Sequence, residues 1–171
     1  LLHAELTKRK IAKQTSVMHL ELLYRASEHE FDADKFHDCC DEKGATITLI
    51  HTEFDHVFGG YATKSWNRNL QRITDPTAFL FNARPFVKAH PLQEGEEYGN
   101  EAMWNYAGFG PIYGKGNDVW IHAGTKKCSK DRLNGAKTGT FTFDPKELSG
   151  ATVLDGSNQA RFAVNDYEVF S

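Results

Sequence analysis

Residues 45–62, ATITLIHTEFDHVFGGYA, decide the fold. The first half of this stretch largely alternates threonine with isoleucine and leucine, and the second half is another β-rich run, VFGGYA. Alternation with a period of two is typical of a β-strand with a buried face, and a short polar segment separates the two runs. The stretch therefore predicts two strands joined as a hairpin.

Short apolar runs continue on both sides of this hairpin, separated by glycine and proline. Residues 78–81, AFLF, are strongly apolar and suit a strand in a sandwich core. The other candidate strands are 18–24, 103–112, 119–122, 140–143 and 162–170. Several short strands at this spacing favour antiparallel pairing over βαβ units. We predict a mainly β (α+β) fold, a two-layer antiparallel β-sandwich with peripheral helices.

Two segments have helical patterns. Asp32 is a candidate N-cap, Asp34 lies in the first turn, and apolar residues follow near helical spacing until Gly44, where the helix is predicted to end. Residues 1–16 predict a short amphipathic helix that packs on the main body. The polar stretch 66–74 is predicted to lie on the surface.

Composition narrows the class of protein. A chain of 171 residues with 40% hydrophobic content can bury its own core, and without a linker or repeat we expect one domain over 1–171. The apolar runs are too short to span a membrane. The formal net charge of −3, with both signs interleaved, argues against nucleic-acid binding. Three cysteines, an odd number with two adjacent, favour a reducing, cytoplasmic location.

A metal centre is not expected. His37, Cys39, Cys40 and Asp41 supply suitable ligand atoms, but only His37 and Asp41 share a helix face. A closed zinc site needs four ligands, which are usually two separated pairs. We therefore predict no metal and no other cofactor. We interpret Cys39 or Cys40 as a small buried apolar side chain.

The glycine-rich segment 108–118 resembles a phosphate-binding loop only superficially. A strand, residues 119–121, follows it, whereas a nucleotide loop leads into a helix. We interpret the segment as a connection between strands in which glycines allow close backbone approach. Asn117 and Asp118 offer too few carboxylates for a defined calcium site.

No hydrolase pattern surrounds a serine or cysteine, and GxSxG does not occur. An enzyme is therefore not expected. The alternative is a thiol-dependent antioxidant enzyme that uses Cys39, Cys40 or Cys128, which would require an exposed thiolate with a low pKa.

The motifs, in their order and spacing, resemble a TLDc domain from about Leu20 to the C-terminus. The matching pieces are LLYRAS at 22–27, FGGY at 58–61, AFLF at 78–81, GFGP at 108–111, GKGNDVWI at 114–121 and DYEVF at 166–170. The resemblance implies a β-sandwich whose last strand closes the core, and no catalytic motif. We expect structural or functional importance at Gly59, Gly60, Trp66, Gly110, Gly114, Gly116, Asp118 and Glu168. Lys115 departs from the family, since many members continue a glycine run there.

The resemblance also implies a function. TLDc proteins include oxidation-resistance proteins, and several bind the vacuolar proton pump (V-ATPase), so we expect a non-catalytic protein-binding domain in the cytoplasm, peripheral to lysosomes or other organelles. The pairs Leu23-Tyr24 and Cys39-Cys40, together with DYEVF at 166–170, are similar to the opening domain of interferon-induced GTPase-like proteins. The alternative role is therefore the regulatory N-terminal module of a GTPase-like immune or scaffold protein, with this chain as part of a longer protein.

Overall fold

Two antiparallel sheets make up the structure, a computed structural model that describes residues 19–93, 101–115, 118–122, 134–136, 141 and 161–171. The strands in these ranges are β1 (Leu22–Arg25), β2 (Thr46–Thr52), β3 (Val57–Ala62), β4 (Arg72–Ile73), β5 (Phe79–Arg84), β6 (Lys88–Pro91), β7 (Met103–Trp104), β8 (Phe109–Tyr113), β9 (Val119–His122), β10 (Asn134–Ala136), β11 (Arg161–Phe162) and β12 (Val164–Phe170). Within the described residues they form two six-stranded sheets. The predicted mainly β, two-layer antiparallel class is confirmed.

The predicted hairpin is confirmed and lies in the middle of the first sheet, whose order is β1-β12-β2-β3-β5-β6. Leu49 in β2 pairs with Gly59 in β3, and Tyr167 in β12 pairs with Ile50 on the other side of β2. Strand β12 also pairs with β1, so it is an internal strand of this sheet. The second sheet has the order β11-β10-β9-β8-β7-β4.

The larger core cluster lies between the two sheets. The ring of Phe58 from the first sheet meets the ring of Phe162 from the second edge to face, with centroids 5.4 Å apart. Thr48 and Tyr113 share a buried hydrogen bond of 3.1 Å between their hydroxyl groups, again across the two sheets. Burial of these large side chains from water is the main stabilising contribution to such a sandwich.

The described part of the chain contains one helix, α1 (Ala33–Cys40), at the periphery of the sandwich. Its predicted N-cap is confirmed, because the Asp32 side chain accepts a hydrogen bond of 3.0 Å from the backbone N–H of Lys35. The predicted end at Gly44 is wrong. Asp41 already has extended backbone angles (ψ 141°), and its isolated bridge to Trp66 takes the chain away from the helix axis.

Most of the polar stretch 66–74 lies at the surface, as predicted, since residues 67–74 are exposed or partly exposed. Trp66 is buried and its indole N–H donates to the Thr46 hydroxyl at 3.0 Å. Arg72–Ile73 forms strand β4, which pairs with β7. The prediction is therefore wrong only at Trp66, where a contact with the distant Thr46 overrides the local polarity.

Three other predictions have mixed outcomes. The run 103–112 is divided into β7 and β8. Of the run 140–143, Phe141 is described, and it forms an isolated bridge with Leu92. The predicted helix over 1–16 lies outside the described residues. None of the helical structure in the described ranges is both long and apolar enough to cross a membrane.

Candidate functional site

Gly59 and Gly60 lie in β3, where an added Cβ would meet neighbouring atoms at very short distances. A Cβ at position 60 would come within 2.4 Å of the Tyr113 ring, which packs on this backbone from the second sheet. A Cβ at position 59 would come within 1.8 Å of the backbone oxygen of Thr48 in the paired strand. Close packing within and between the sheets therefore requires glycine at both positions.

Gly110 in β8 and Gly114 just after it are also closely packed against other residues. A Cβ on Gly110 would lie 2.8 Å from the Tyr167 hydroxyl oxygen. Gly114 has a φ of +88°, which favours glycine, and a Cβ there would lie 2.7 Å from the carboxyl carbon of Asp118. Asp118 is buried and accepts a hydrogen bond of 3.2 Å from the backbone N–H of Phe141. Gly116 lies outside the described residues.

Glu168 has a different position, because it faces a cavity at the surface. It lies on β12 between Tyr167 and Val169, whose side chains point into the core, so its own side chain lies on the outer face of the first sheet. Arg25 in the neighbouring strand β1 binds its carboxylate, with Nη2 and Nε at 2.6 and 2.7 Å from Oε1. Of the eight residues singled out from the sequence, Glu168 thus leads to the candidate site.

The cavity, which we call the outer-face groove, has a volume of about 330 Å³. The residues that line it are Leu49, His51, Val57, Arg84, Asp166, Tyr167 and Glu168. Cross-strand pairing places Asp166, His51, Val57 and Arg84 in one row across β12, β2, β3 and β5. Four separate strands therefore build the groove. Its width follows from the distance between neighbouring strands, which is about 4.8 Å.

The floor of the groove is apolar. Leu49 and Val57, on adjacent strands, are partly buried and lie between the charged side chains on β12 and β5. Gly59 pairs with Leu49 and adds no side chain to this surface. The floor can therefore take up an apolar group from outside.

One wall of the groove is acidic and fixed in place. The Asp166 carboxylate accepts hydrogen bonds from the backbone N–H and the hydroxyl of Ser27, at 2.9 and 2.7 Å, and from the N–H of Tyr167 at 2.9 Å. Glu168 is held by its ion pair with Arg25. Both carboxylates are therefore oriented before any ligand arrives.

The opposite wall contains Arg84. Its Nη2 forms an ion pair with the Asp55 carboxylate, and its Nε donates to the Asp55 carbonyl oxygen at 3.0 Å. His51 Nε2 lies 3.2 Å from the same carboxylate. The Arg84 guanidinium is therefore already paired with Asp55 of the β2–β3 turn.

Two neighbouring turns expose large apolar side chains at one end of the groove. Phe54 in the β2–β3 turn is 47% exposed, and Phe86 and Val87 in the β5–β6 turn are 41% and 44% exposed. The two turns lie at the same end of the first sheet because β2, β3, β5 and β6 are antiparallel neighbours in that order. We call Phe54, Phe86 and Val87 the hairpin tips.

The turn that carries Phe54 is well ordered. The Thr52 hydroxyl accepts from the N–H groups of Phe54 and His56, each at 3.3 Å, and Thr52 N–H donates to the His56 carbonyl at 2.9 Å. Asp55 has a φ of +60° and is tied to Arg84. An exposed aromatic ring on such a turn loses little conformational freedom on binding.

The cysteine chemistry considered from the sequence has little support. Cys40 is buried, and this burial raises the pKa of its thiol far above the ordinary value. A reactive thiol needs the opposite shift. Cys39 is partly buried, and Cys128 lies outside the described residues.

His37 and Asp41 do share a helix face, as predicted, with Nδ1 2.7 Å from the carboxylate. Nε2 of the buried His37 lies 3.2 Å from the Tyr106 carbonyl oxygen. The imidazole therefore links α1 to the loop before β8. Within the described ranges, no three His, Cys, Asp or Glu residues are grouped so that they could hold a metal ion.

Sequence inspection missed most of the groove. His51, Val57, Arg84 and Asp166 were not singled out, because each alternates with core residues as any outward-facing strand residue does. Charged residues that cluster at strand ends are a sequence feature that could have indicated the groove. The register that aligns the four strands, however, is not visible in a single sequence.

Comparisons with known proteins agree with this fold. A sequence model of the TLDc domain family matches residues 3–171. The mTOR-associated protein MEAK7 of the zebrafish Danio rerio is 23% identical over 99 residues, which cover 54% of this chain and 22% of MEAK7. The match thus spans about a fifth of the length of that protein. Since the family match covers nearly the whole sequence, the chain belongs to the TLDc domain family.

Proposed function

We propose that this TLDc domain is a non-catalytic regulatory domain that binds a protein partner through the hairpin tips and the outer-face groove. The observation that carries the proposal is the pair of exposed phenylalanines, Phe54 and Phe86, on two adjacent turns beside a cavity. Exposed aromatic side chains that lie together on an ordered surface are typical of the energetically dominant residues of protein interfaces.

The groove adds polar groups next to the apolar hairpin tips. Arg84 and Asp55 lie between the hairpin tips and the groove floor, and both are held by mutual contacts. Interfaces commonly surround an aromatic centre with a polar rim of this kind. The surface is therefore suited to a partner that is itself ordered or folds over the turn.

The proposal that the domain is non-catalytic is supported by the chemistry of the groove. Asp166 and Glu168 are engaged by Ser27 and Arg25, and neither the groove nor its walls include a cysteine. The buried, protonated thiol of Cys40 is a core side chain. These features favour recognition over bond-making chemistry.

The finer proposal concerns the partner. We propose a subunit of the V-ATPase, at the cytoplasmic surface of lysosomes or related organelles, because the chain belongs to a family with members that bind this pump. The relative MEAK7 is an mTOR-associated protein, which supports a regulatory role as the common feature. We also propose that the domain works as one unit of a longer polypeptide.

The test is affinity capture from cells that express the tagged chain. The wild type, the double variant Phe54→Ser/Phe86→Ser and the control Leu70→Ser are compared by quantitative mass spectrometry. Leu70 is 62% exposed but lies on the loop before β4, away from the hairpin tips. We expect V-ATPase subunits to be recovered with the wild type and with the control. Their recovery should be at least tenfold lower with the double variant.

Two outcomes contradict the proposal in different ways. Enrichment of another defined complex that depends on the hairpin tips would overturn the pump as the partner and retain the binding role. Equal recovery of every protein with a correctly folded double variant would overturn the binding surface. Circular dichroism of each purified chain checks that the variants are folded.

A further inference from the structure

We propose that the outer-face groove accepts an extended segment of the partner protein in which an apolar side chain lies close to a lysine or arginine. This inference deepens the protein-binding role and depends on it. It is carried by the size of the groove, its apolar floor and the excess of carboxylates around it.

The size of the groove selects a short piece of chain. A volume of about 330 Å³ lies at the low end of the range for small-ligand sites. A whole α-helix, with a diameter of about 10 Å including its side chains, is too wide to enter it. An extended segment, by contrast, can place one side chain in the cavity and continue along the surface.

The floor selects an apolar side chain at the centre of that segment. Leu49 and Val57 are partly exposed and line this opening between the charged side chains. Covering them with an aliphatic or aromatic group removes apolar surface from water on both partners. A polar side chain at this point would lose its hydration without gaining a hydrogen-bond partner from the floor.

The surrounding charges select a basic neighbour. The charged lining residues and their direct ion-pair partners comprise three carboxylates and two guanidinium groups, which leaves an excess of one negative charge: Asp55, Asp166 and Glu168 against Arg84 and Arg25. His51 also faces the groove and already lies against Asp55. A lysine or arginine of the partner would therefore be attracted to this rim.

The excess charge is concentrated on one side. Asp166 and Glu168 are two residues apart on β12 and therefore lie on the same face. Asp166 is held by Ser27 and the backbone, without a cationic partner among the contacts described for it. A carboxylate has more than one acceptor site, so Asp166 can accept a bond from a cation while it keeps these contacts. The basic residue of the partner is expected at this wall.

The experiment uses a random dodecapeptide library displayed on phage and selected on the immobilised chain. Enriched peptides are synthesised with a fluorophore, and their Kd is measured by anisotropy. We expect enriched sequences to place Lys or Arg within about three residues of an apolar residue. The affinity should fall as sodium chloride is raised, because salt screens exposed charges over distances of about 10 Å at 0.1 M.

Three variants identify the binding site. Val57→Lys inserts a cation into the groove and should weaken binding at least tenfold. Asp166→Asn keeps the acceptor for Ser27 but removes the charge, and should weaken binding of basic peptides several-fold while leaving their neutral analogues unchanged. Asp38→Asn, at an exposed carboxylate that pairs with Arg68 and does not line the groove, is the control and should have no effect.

The inference is overturned if no sequence is enriched, if the enriched peptides lack basic residues, or if folded Val57→Lys binds them as well as the wild type. Its failure can be separated from failure of the proposed function. If Val57→Lys still captures the cellular partner while Phe54→Ser/Phe86→Ser does not, the binding role stands and the groove is not the recognition site.

Discussion

Tyr113 of the second sheet lies directly on the backbone of Gly60 in the first, so that a Cβ at position 60 would come within 2.4 Å of its ring. The same tyrosine shares a hydrogen bond of 3.1 Å with the Thr48 hydroxyl. Apolar packing and a polar contact thus meet at one point between the two layers. This contact sets how closely the sheets approach near the centre of the sandwich.

The first prediction concerns this contact. Gly60→Ala should lower the free energy of unfolding by about 1–3 kcal/mol, because the buried ring cannot move away from the added methyl group without repacking. Chemical denaturation measures the effect, provided that the wild type and the variant have the same m-value. Gly108→Ala is the control, since the nearest atom to its Cβ, 3.3 Å away, belongs to the partly exposed Tyr106 ring. Equal effects for both variants would contradict the prediction.

The second prediction concerns Asp75, a fully buried carboxylate. It accepts hydrogen bonds from the N–H and hydroxyl of Thr63 at 2.6 and 2.9 Å, from the N–H and hydroxyl of Thr77 at 3.1 and 2.7 Å, and from Lys64 N–H at 3.3 Å. Asp75→Ala should destabilise the fold by about 2–4 kcal/mol, because buried donors lose their acceptor.

Thermal unfolding followed by circular dichroism tests this prediction. Asp38→Ala is the matched control, since the ion pair that it removes is exposed and should contribute about 1 kcal/mol or less. The interpretation of Asp75 as a structural acceptor fails if its replacement changes the melting temperature no more than the control does.

The third prediction concerns alkaline pH. Burial raises the pKa of Tyr24 to about 12, and it also raises the pKa of Tyr113 and Tyr167 above the ordinary value of 10.0. Above pH 10.0 the unfolded chain therefore loses phenolic protons that the folded chain keeps. Stability is unaffected by these groups below that pH and should fall above it by about 1.4 kcal/mol per pH unit for each tyrosine.

Urea denaturation at a series of pH values from about 9 to 11.5 tests the sign of this dependence. Tyr24→Phe should reduce the slope of stability against pH by about 1.4 kcal/mol per unit above pH 10.0, whatever its effect on stability at neutral pH. A slope that is unchanged in this variant, or stability that rises with pH, would show that Tyr24 ionises in the folded protein.

The fourth prediction concerns thiol reactivity. Cys40 should react with iodoacetamide at neutral pH only as fast as the protein unfolds, because burial both shields the thiol and raises its pKa. Mass spectrometry of the tryptic peptides after timed alkylation follows the reaction, with Cys39→Ser used to isolate Cys40. Rapid modification of Cys40 in the folded chain would restore the thiol-dependent antioxidant hypothesis.

Local sequence patterns were sufficient for much of the fold. The alternation in residues 45–62 predicted the β2–β3 hairpin, and Asp32 predicted the start of α1. Such patterns succeed because strand alternation and N-capping depend on neighbours within a few residues. They failed at the end of α1 and at Trp66, where contacts with distant residues, such as Trp66 with Thr46, override local patterns.

The sequence by itself determined that the chain forms many short strands with buried faces, since the period of apolar residues is a local property. Only the tertiary structure decided that Asp166, His51, Val57 and Arg84 form one row across four strands. The physical reason is register. A shift of one residue in any of these pairings would turn the row toward the other face of the sheet, and the register depends on packing of the whole sandwich.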